Sequence, residues 1–528
     1  MRKLTGLLGL SVSFFGLASI AQAASIAGSV KGPDGSPFRG AFVAAQNLKT
    51  KISVTVLTQT NGRFTIRNLP AGDYEVRVKS VGYTNNEASR IALAGDQTGS
   101  KDFALAKGKV SWADLSYYQE RQLLPEGPGK AQLFNYCHAC HGTQSRMVGK
   151  GHEREGWESL VTYMTGSFKY FLGGRVTEQD EKEIADYLTA TFGKDSNLPK
   201  SPEDLPKYQQ TVHAPFSDEA LKIVYTEYEM PSASSFPWSA VEDKDGKYWI
   251  PFYGNANRIA RLDAETGAVE EFKTPSDETA SIHSAQPAPD GSVYFTMQAQ
   301  NKIGRWDPVT RKITEYQDPY ETGKEGTMAG GSKHTLRVLP NGEVWSTGGP
   351  MTKFDPKTET FTKIPAIPSV YGIAGDKTGK VWFAEYTPNG VIGFADAKTL
   401  EVKRFSPPTK NARAQRIQAF DDGSVWFAEF AAGKIGKFDS KTESFQEWQL
   451  PGPMPTPYAF HIDANGMAWY SSESQDVIGR LDPVSGRVVE FPLPYAENTM
   501  REFFIDSKGR MWYGTPANNR VGYFYLDQ

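Results

Sequence analysis

The chain has 528 residues, and its 58 basic and 61 acidic side chains leave a formal net charge of −3 at pH 7. This mild balance excludes the strongly basic surface that would favour a nucleic acid or an anionic membrane as a partner. The length predicts several domains, and the abundance of tyrosine, tryptophan, glycine and proline predicts a mainly β protein.

The first 23 residues have the pattern of a secretory signal peptide. Arg2 and Lys3 precede an apolar run that ends in Ala21-x-Ala23, so we expect cleavage after about Ala23. The run is too short for a membrane anchor, and no later stretch approaches the ~18 continuous apolar residues of a membrane span. We therefore expect a periplasmic protein without a membrane span.

Residues 24–107 alternate short apolar strands with turns such as PDG, NG and PAGD at intervals of 8 to 12 residues, which predicts a β-sandwich. The stretches GSVKGPDGSPFRGAFV and TNGRFTIRNLPAGDYEVRV, with Gly82 and Tyr83 after them, resemble the carboxypeptidase regulatory-like family. That resemblance implies a small sandwich that acts as a spacer or an adhesion module. It implies no catalytic activity.

The stretch NYCHACHG contains the only two cysteines of the chain, Cys137 and Cys140, followed by His141. This CxxCH spacing is the attachment pattern of haem c, in which both thiols bond to the porphyrin and the histidine binds iron. A redox dithiol of the thioredoxin kind is the alternative, but the βαβ pattern that would accompany it is missing from the sequence. We expect one covalently bound haem c.

Residues 108–197 form the helical part of the chain. KAQLFNYCHACH predicts a helix with Leu133 and Phe134 on its apolar side, running into the haem motif. A second helix is expected to begin after Thr177 as its N-cap and to end at Gly193. The residues that this helix turns inward are Ile184, Tyr187 and Leu188. The stretches CHACHG, GW, LVTYM and IADYLTATFG resemble a class I cytochrome c domain.

The cytochrome resemblance implies a methionine as the second axial ligand of the haem iron. The Met-Pro pair common in that class is missing here, and Met164, in GWESLVTYMTGSF, matches the expected place. Met147, His152 or an open position are the alternatives. Ordinary core packing would also account for Met164.

A Pro-rich linker at 198–220 precedes a repeat that fills residues 221–528. Seven units such as DKTGKVWFAE recur with periods of 37 to 51 residues, and each carries several short strands. Their turn glycines are Gly246, Gly291, Gly342, Gly379, Gly423, Gly466 and Gly509. Such a repeat predicts a seven-bladed β-propeller, whose last blade we expect residues 223–231 to complete.

The repeat text DGxVWFAExxxxKIGxFDPxT resembles the streptogramin (virginiamycin) B lyase family. That resemblance implies a seven-bladed fold with a ligand site at one mouth of its channel. Lyase members open a cyclic depsipeptide by elimination, assisted by a metal ion.

One position in each unit, eight residues before the turn glycine, departs from the apolar pattern. The residues at this position are Trp238, His283, His334, Tyr371, Gln415, Tyr458 and Arg501. They predict a polar funnel at the propeller mouth, with a solvated channel rim as the alternative. Glu385 and Glu429 follow two of the glycines by six residues and are further candidates for cation binding or proton transfer, although their place in the repeat also fits a structural role.

We expect a periplasmic electron-transfer protein, in which the propeller binds a redox partner protein or a small-molecule substrate and the haem passes electrons on. If the protein is an enzyme, the haem motif favours an oxidoreductase over a carbon–oxygen lyase. The lyase's histidine base and metal-linked glutamate have no matching pair at this mouth, and a divalent metal there has no ligand pattern to support it. A metal-dependent lyase with an appended haem and a non-catalytic binding or relay module remain the alternatives.

Overall fold

The computed structural model describes residues 24–137, 142, 146–167, 175–320 and 333–527, apart from positions 86, 234, 349, 366, 368, 369 and 498. A β-sandwich comes first, a helical segment (residues 110–211) follows, and a propeller makes up the rest. The predicted signal peptide lies outside the described residues. No helix among those described is long and apolar enough to cross a membrane.

The amino-terminal domain is a β-sandwich, as predicted. One sheet has the order β4-β1-β8 with β9 beside β1, and β3, β2, β5 and β7 form the other. Alternating side chains from both sheets fill the core, among them Ile26, Val43, Ile66 and Val76. The strands are β1 (Ala24–Lys31), β2 (Phe42–Asn47), β3 (Ser53–Leu57), β4 (Arg63–Leu69), β5 (Gly72–Lys79), β6 (Tyr83–Thr84), β7 (Ser89–Leu93), β8 (Thr98–Ser100), β9 (Phe103–Ala104) and β10 (Ala106–Lys107).

The predicted propeller is confirmed, and within the described residues it has seven blades of four antiparallel strands. Blades one to three contain β12 (Val241–Glu242), β13 (Tyr248–Pro251), β14 (Arg258–Leu262), β15 (Val269–Lys273), β16 (Ile282–Pro287), β17 (Val293–Met297), β18 (Lys302–Trp306), β19 (Ile313–Gln317), β20 (Leu336–Val338), β21 (Val344–Ser346), β22 (Thr352–Asp355) and β23 (Thr360–Lys363). Blades four to six contain β24 (Gly372–Gly375), β25 (Lys380–Ala384), β26 (Ile392–Asp396), β27 (Val402–Phe405), β28 (Ala414–Ala419), β29 (Ser424–Glu429), β30 (Lys434–Asp439), β31 (Ser444–Gln449), β32 (Pro457–Ile462), β33 (Ala468–Ser472), β34 (Val477–Leu481) and β35 (Val488–Pro492).

Blade seven is closed by a strand from the other end of the propeller sequence, as predicted. Its own strands are β36 (Phe504–Ile505), β37 (Met511–Thr515) and β38 (Arg520–Leu526), and β11 (Ile223–Glu229) is the fourth. β11 pairs with β38 from Ile223 opposite Leu526 to Glu229 opposite Arg520. Its other edge pairs with β3, so blade seven and one sandwich sheet form a single eight-stranded sheet.

The repeat D-x-x-G-x-x-W has a direct structural cause. The turn glycine between the first two strands of each blade has a φ between 70° and 92°, a region that glycine adopts without strain. In four blades the aspartate that starts the turn also accepts a hydrogen bond from the indole N–H six residues later. These pairs are Asp243–Trp249, Asp376–Trp382, Asp463–Trp469 and Asp506–Trp512, with distances of 2.7 to 2.9 Å.

The helical segment contains α1 (Tyr117–Leu123), α2 (Lys130–Tyr136), α3 (Arg154–Ser167), α4 (Glu178–Phe192) and α5 (Tyr208–Thr211). The predicted limits of α4 are confirmed, because Thr177 caps it in a capping box with Asp180 and Gly193 follows its last residue. Its predicted inward residues are all buried. α2 packs across α4 so closely that a Cβ on Gly129 would collide with the carbonyl oxygen of Glu183.

Residues 198–220, predicted to be a linker, pack against the rest of the chain. Ser201 donates a hydrogen bond to the carbonyl of Val110, and the indole of Trp112 donates one to the carbonyl of Pro199. His213 contacts Glu490 of blade six at 3.1 Å. The first two contacts hold this stretch against the helical segment, and the third ties it to the propeller.

Replacing Asp463 tests the role of the aspartate–tryptophan bond. Asp463→Ala leaves the Trp469 indole and the amides of Asn465 and Met467 without their acceptor, so we expect a stability loss of about 1–3 kcal/mol. Urea unfolding followed by tryptophan fluorescence measures this loss. Asp439→Ala, which removes only exposed turn bonds in blade five, is the control and should cost less; equal losses would contradict the assignment.

Candidate functional site at the propeller mouth

All seven residues predicted to line the mouth lie together around the propeller axis. We call them the mouth ring, and the propeller end at which they lie is the ring face. Each side chain is nearly buried, with 1 to 6% of its surface exposed. The funnel is therefore a tightly packed polar cluster, and the solvated rim considered as an alternative does not describe it.

Aromatic and cationic groups of the mouth ring contact one another in an almost complete circle. Ring centroids of Trp238 and His283 lie 5.1 Å apart, those of His283 and His334 3.7 Å, and those of His334 and Tyr371 4.3 Å. Tyr371 and Tyr458 are 5.9 Å apart. The Arg501 guanidinium closes the circle, at 4.4 Å from the Tyr458 ring and 5.7 Å from the Trp238 ring.

Arg416, the neighbour of Gln415 in the sequence, crosses the axis. Its Nε donates to the carbonyl of Arg501 at 2.9 Å in blade seven, and its Nη1 donates to the Thr335 hydroxyl at 3.1 Å in blade three. The same guanidinium lies over the Tyr371 and Tyr458 rings, at 5.2 and 5.4 Å. The side chain thus bridges from blade five to blades three and seven beside the mouth ring.

The two imidazoles of the mouth ring are held neutral. Burial lowers the pKa of both His283 and His334 well below the usual range, and the nearby positive charges of Arg416 and Arg501 act in the same direction. The His334 Nδ1 contacts the Thr335 hydroxyl at 2.9 Å. Both nitrogens of His283 and the indole N–H of Trp238 are buried without a hydrogen-bond partner among the described residues, and buried polar groups in that state favour a ligand that pairs with them.

Glu473 is an acid of the mouth that the sequence did not reveal. It follows the second strand of blade six, and its carboxylate pairs with Arg501 Nη1 at 2.7 and 2.9 Å. Burial raises the pKa of Glu473 to about 7, although the Arg501 charge acts in the opposite direction. A carboxyl group with this pKa can exchange a proton near neutral pH.

The predicted candidates Glu385 and Glu429 face the outer strands of their blades. Glu385 accepts a hydrogen bond of 2.8 Å from Arg404 on β27. Glu429 is fully buried, and burial together with the neighbouring Glu447 raises its pKa to about 8. Among the described residues there is no group of three histidine, cysteine, aspartate or glutamate side chains arranged to hold a metal ion.

The helical segment is docked on the ring face. The amide of Tyr118 donates to the carbonyl of Ser474 at 2.7 Å, next to Glu473. Asn255 donates to the hydroxyl of Tyr163 at 3.2 Å, and the Arg146 guanidinium lies 5.3 Å from the centre of the Phe236 ring. The propeller residues in these contacts lie in loops at the ends of the blades where the first strands begin.

Cys137 of the predicted CxxCH motif is described, and so is Gly142, directly after the motif, which touches this face. Cys137 is half-buried at the end of α2. Cys140 and His141 lie outside the described residues. The amide of Gly142, the next residue, donates a buried hydrogen bond of 2.9 Å to Oε1 of Glu497, in the loop between blades six and seven.

The side chains proposed as iron ligands differ in how deeply they are buried. Met147 is 6% exposed and belongs to the apolar core of the helical segment, together with Leu133 and Trp157. Met164 is half-buried on α3. His152 is half-buried, and its ring packs edge-on against Trp157 at 4.9 Å.

Sequence reasoning missed Arg416, Glu473 and Glu497. Arg416 is the residue after a predicted ring position, so its place beside the axis could have been found from strand register. Glu473 lies one residue beyond the glutamate position of the repeat, and that offset is a usable signal. Glu497 lies in a loop without repeat text, and the sequence offers no signal for it.

Comparisons with known proteins identify two of the domains. Residues 357–527 match the Virginiamycin B lyase family, and residues 25–106 match the Carboxypeptidase regulatory-like domain. The chain carries a lyase-like propeller behind a regulatory-like sandwich. No curated protein sequence matches the chain.

Solved structures of virginiamycin B lyase and streptogramin B lyase share the propeller fold. Selenomethionine-substituted virginiamycin B lyase from Staphylococcus aureus is 22% identical, with a TM-score of 0.51 over 58% of this chain and 100% of its own. A streptogramin B lyase structure is 23% identical, with a TM-score of 0.52 over 59% of this chain and 100% of its own. A catalytically inactive histidine-to-alanine variant of the S. aureus enzyme with quinupristin is 22% identical, with a TM-score of 0.50 over 57% of this chain and 100% of its own. At these identities the likeness concerns the fold of the propeller alone.

Glu429→Gln tests whether burial keeps the Glu429 carboxyl group protonated in the folded protein. Its folded-state pKa of about 8 exceeds the unfolded value of about 4.3, so its contribution to stability is present at low pH and is lost as the pH rises through 8. We expect the variant to gain stability over wild type between pH 5 and 8, by at most about 1.4 kcal/mol per pH unit, with a plateau above.

Urea unfolding at several pH values measures this gain. The control is Glu265→Gln, whose side chain is 81% exposed, and it should give no such slope. A pH-independent difference for Glu429→Gln would show that the carboxyl group is ionised in the folded protein.

Proposed function

We propose that this chain is an exported, c-type haem electron-transfer protein whose propeller mouth binds the electron donor. Cys137 and Cys140 would hold the haem covalently, and His141 and Met164 would bind its iron. The haem would supply one-electron redox chemistry. The donor is a small molecule or a group on a partner protein, and the protein would act as an oxidoreductase component.

The described part of the helical segment fits a haem domain. Cys137 packs against the apolar core that contains Leu133, Phe134 and Met147, so a porphyrin attached there would meet apolar side chains. The close crossing of α2 and α4 at Gly129 brings the helix before the motif against the last long helix of the segment. This arrangement agrees with the class I cytochrome resemblance of the sequence.

The observation that carries the proposal is the contact of Gly142, the residue directly after the predicted CxxCH motif, with the ring face. Gly142, directly after the predicted iron ligand, bonds to Glu497, and Glu497 precedes Arg501 of the mouth ring by only four residues. If the helical segment faced away from the mouth, electron transfer from a donor at the mouth to the haem would be disfavoured. The observed docking favours a donor bound at the mouth and oxidised through the haem.

The chemistry of the mouth suits a donor that loses a proton with each electron. Neutral imidazoles and Trp238 offer uncharged hydrogen-bonding groups, and tyrosine rings offer stacking surfaces. Glu473, with its pKa of about 7, would accept the proton released when the donor is oxidised. Electron and proton would then leave toward different acceptors, the haem and the carboxylate.

The haem assignment is tested by an optical spectrum of protein produced with cytochrome-maturation machinery. We expect a haem that stays on the polypeptide after denaturation and a Cys137→Ala, Cys140→Ala variant without it. A weak far-red thioether band should vanish in Met164→Ala and persist in Met147→Ala. Loss of the band only in Met147→Ala would move the ligand role to that residue, and a wild-type chain without covalent haem would refute the proposal.

The donor site is tested by adding candidate periplasmic reductants to the oxidised protein. We expect at least one compound to reduce the haem, and the His283→Phe, His334→Phe double variant to raise the half-saturating donor concentration at least tenfold. The haem spectrum should not change, because phenylalanine preserves the packing while it removes the ring nitrogens.

His461→Phe is the matched control for the double variant. This half-buried histidine of β32 contacts the carbonyl of Ile462 at 2.9 Å, and desolvation lowers its pKa to about 4. Its replacement should leave donor binding intact. Equal effects of both changes, or none from the double variant, would place the donor elsewhere, and a haem that no compound reduces would leave a relay between proteins as the function.

A further inference from the structure

The contact between Glu497 and Gly142, the residue after the predicted haem motif, is buried and joins two parts of the chain. Glu497 is 5% exposed, although ionisable side chains are rarely buried without a role in pairing or function. Its Oε1 accepts the hydrogen bond from Gly142 across 355 positions of sequence. The acceptor thus comes from the propeller and the donor from the helical segment.

The backbone around Glu497 is held in an uncommon conformation. Its φ is +57°, and its amide donates to Oδ2 of Asp476 at 3.1 Å. Asp476, directly before β34, has a φ of +50°. Left-handed backbone at residues other than glycine costs of order 1–3 kcal/mol and persists where the surroundings impose it. Two such acidic residues joined by a hydrogen bond place a carboxylate against the amide of Gly142, the residue that follows His141 in the sequence.

A carboxylate at this place has two effects on a haem bound through His141. The hydrogen bond fixes the peptide group next to the iron ligand, as outer-shell partners do in metal sites. A negative charge buried there, where the dielectric constant is low, would favour the ferric over the ferrous state, because oxidation adds one positive charge. Both effects follow from the position of the group.

We propose that Glu497 is a positioning residue of the propeller that orients the haem-binding loop and keeps the reduction potential of the haem low. This inference rests on the proposed haem function and adds to it. The propeller does more than bind the donor, since it also sets the driving force with which the haem accepts the donor's electron.

The decisive experiment is a spectroelectrochemical titration of the haem in the full-length protein. Glu497→Gln keeps the shape and the acceptor oxygen but removes the charge, so we expect covalent haem in normal yield and a midpoint potential shifted in the positive direction. Glu497→Asp keeps the charge and should restore a potential near that of wild type. The distant Glu265→Gln, at the opposite end of blade one, controls for the loss of one charge anywhere and should not shift the potential.

Hydrogen exchange at the Gly142 amide provides an independent readout. We expect protection in wild type and Glu497→Gln, and faster exchange in Glu497→Ala, where the acceptor is gone. An unchanged potential in Glu497→Gln, or an equal shift in Glu265→Gln, would overturn the proposal while the haem function stands. A wild-type protein without covalent haem would overturn both proposals. The haem yield reports that outcome, and the midpoint potential reports the outcome for Glu497 alone.

Discussion

The whole arrangement depends on strand β11, which is hydrogen-bonded along both edges. On one side it pairs with β38 and closes the propeller, and on the other it pairs with β3 and continues into the sandwich. An unpaired outer strand in blade seven would have left an exposed edge. Because only residues 212–222 separate the helical segment from β11, the pairing also limits where that segment can lie on the propeller. The three parts are thus held together by backbone bonds as well as by side-chain contacts.

This closure explains why blades six, seven and one receive the helical segment. The chain runs from α5 through residues 212–222 into β11, the outermost strand of blade seven. The docking contacts at Phe236, Asn255, Ser474 and Glu497 all lie in these neighbouring blades. The mouth ring has its arginine in the same sector. The histidines belong to blades two and three, outside this sector. His283 is linked to Arg501 through Trp238, and His334 is linked to it through Tyr371 and Tyr458.

The sequence predicted those features that repeat or that follow from local chemistry. The blades could be counted because turn glycines and the aspartate–tryptophan bond recur, and α4 could be bounded because Thr177 and Gly193 are strong local signals. The mouth ring was found because one strand register departs from the apolar pattern. Glu385 and Glu429 show the limit of that reasoning, since the same repeat that made them visible places them against Arg404 and Glu447 in the outer part of their blades. Pairings across hundreds of residues, such as Gly142 with Glu497, leave no local trace.

The mouth ring combines two requirements that oppose each other in a stable protein. Packing seven large polar side chains around an axis excludes water, and this exclusion keeps both histidines neutral and Glu473 partly protonated. The same exclusion would make an unpaired arginine costly, so Arg501 is matched by Glu473 and Arg416 by backbone and hydroxyl oxygens. His283 and Trp238, which carry no charge, are among the side chains with polar atoms left without a hydrogen-bond partner in the described part of the chain. A ligand that enters the ring would therefore leave the Arg501–Glu473 ion pair in place, and its recognition would depend on neutral groups such as those of His283 and Trp238.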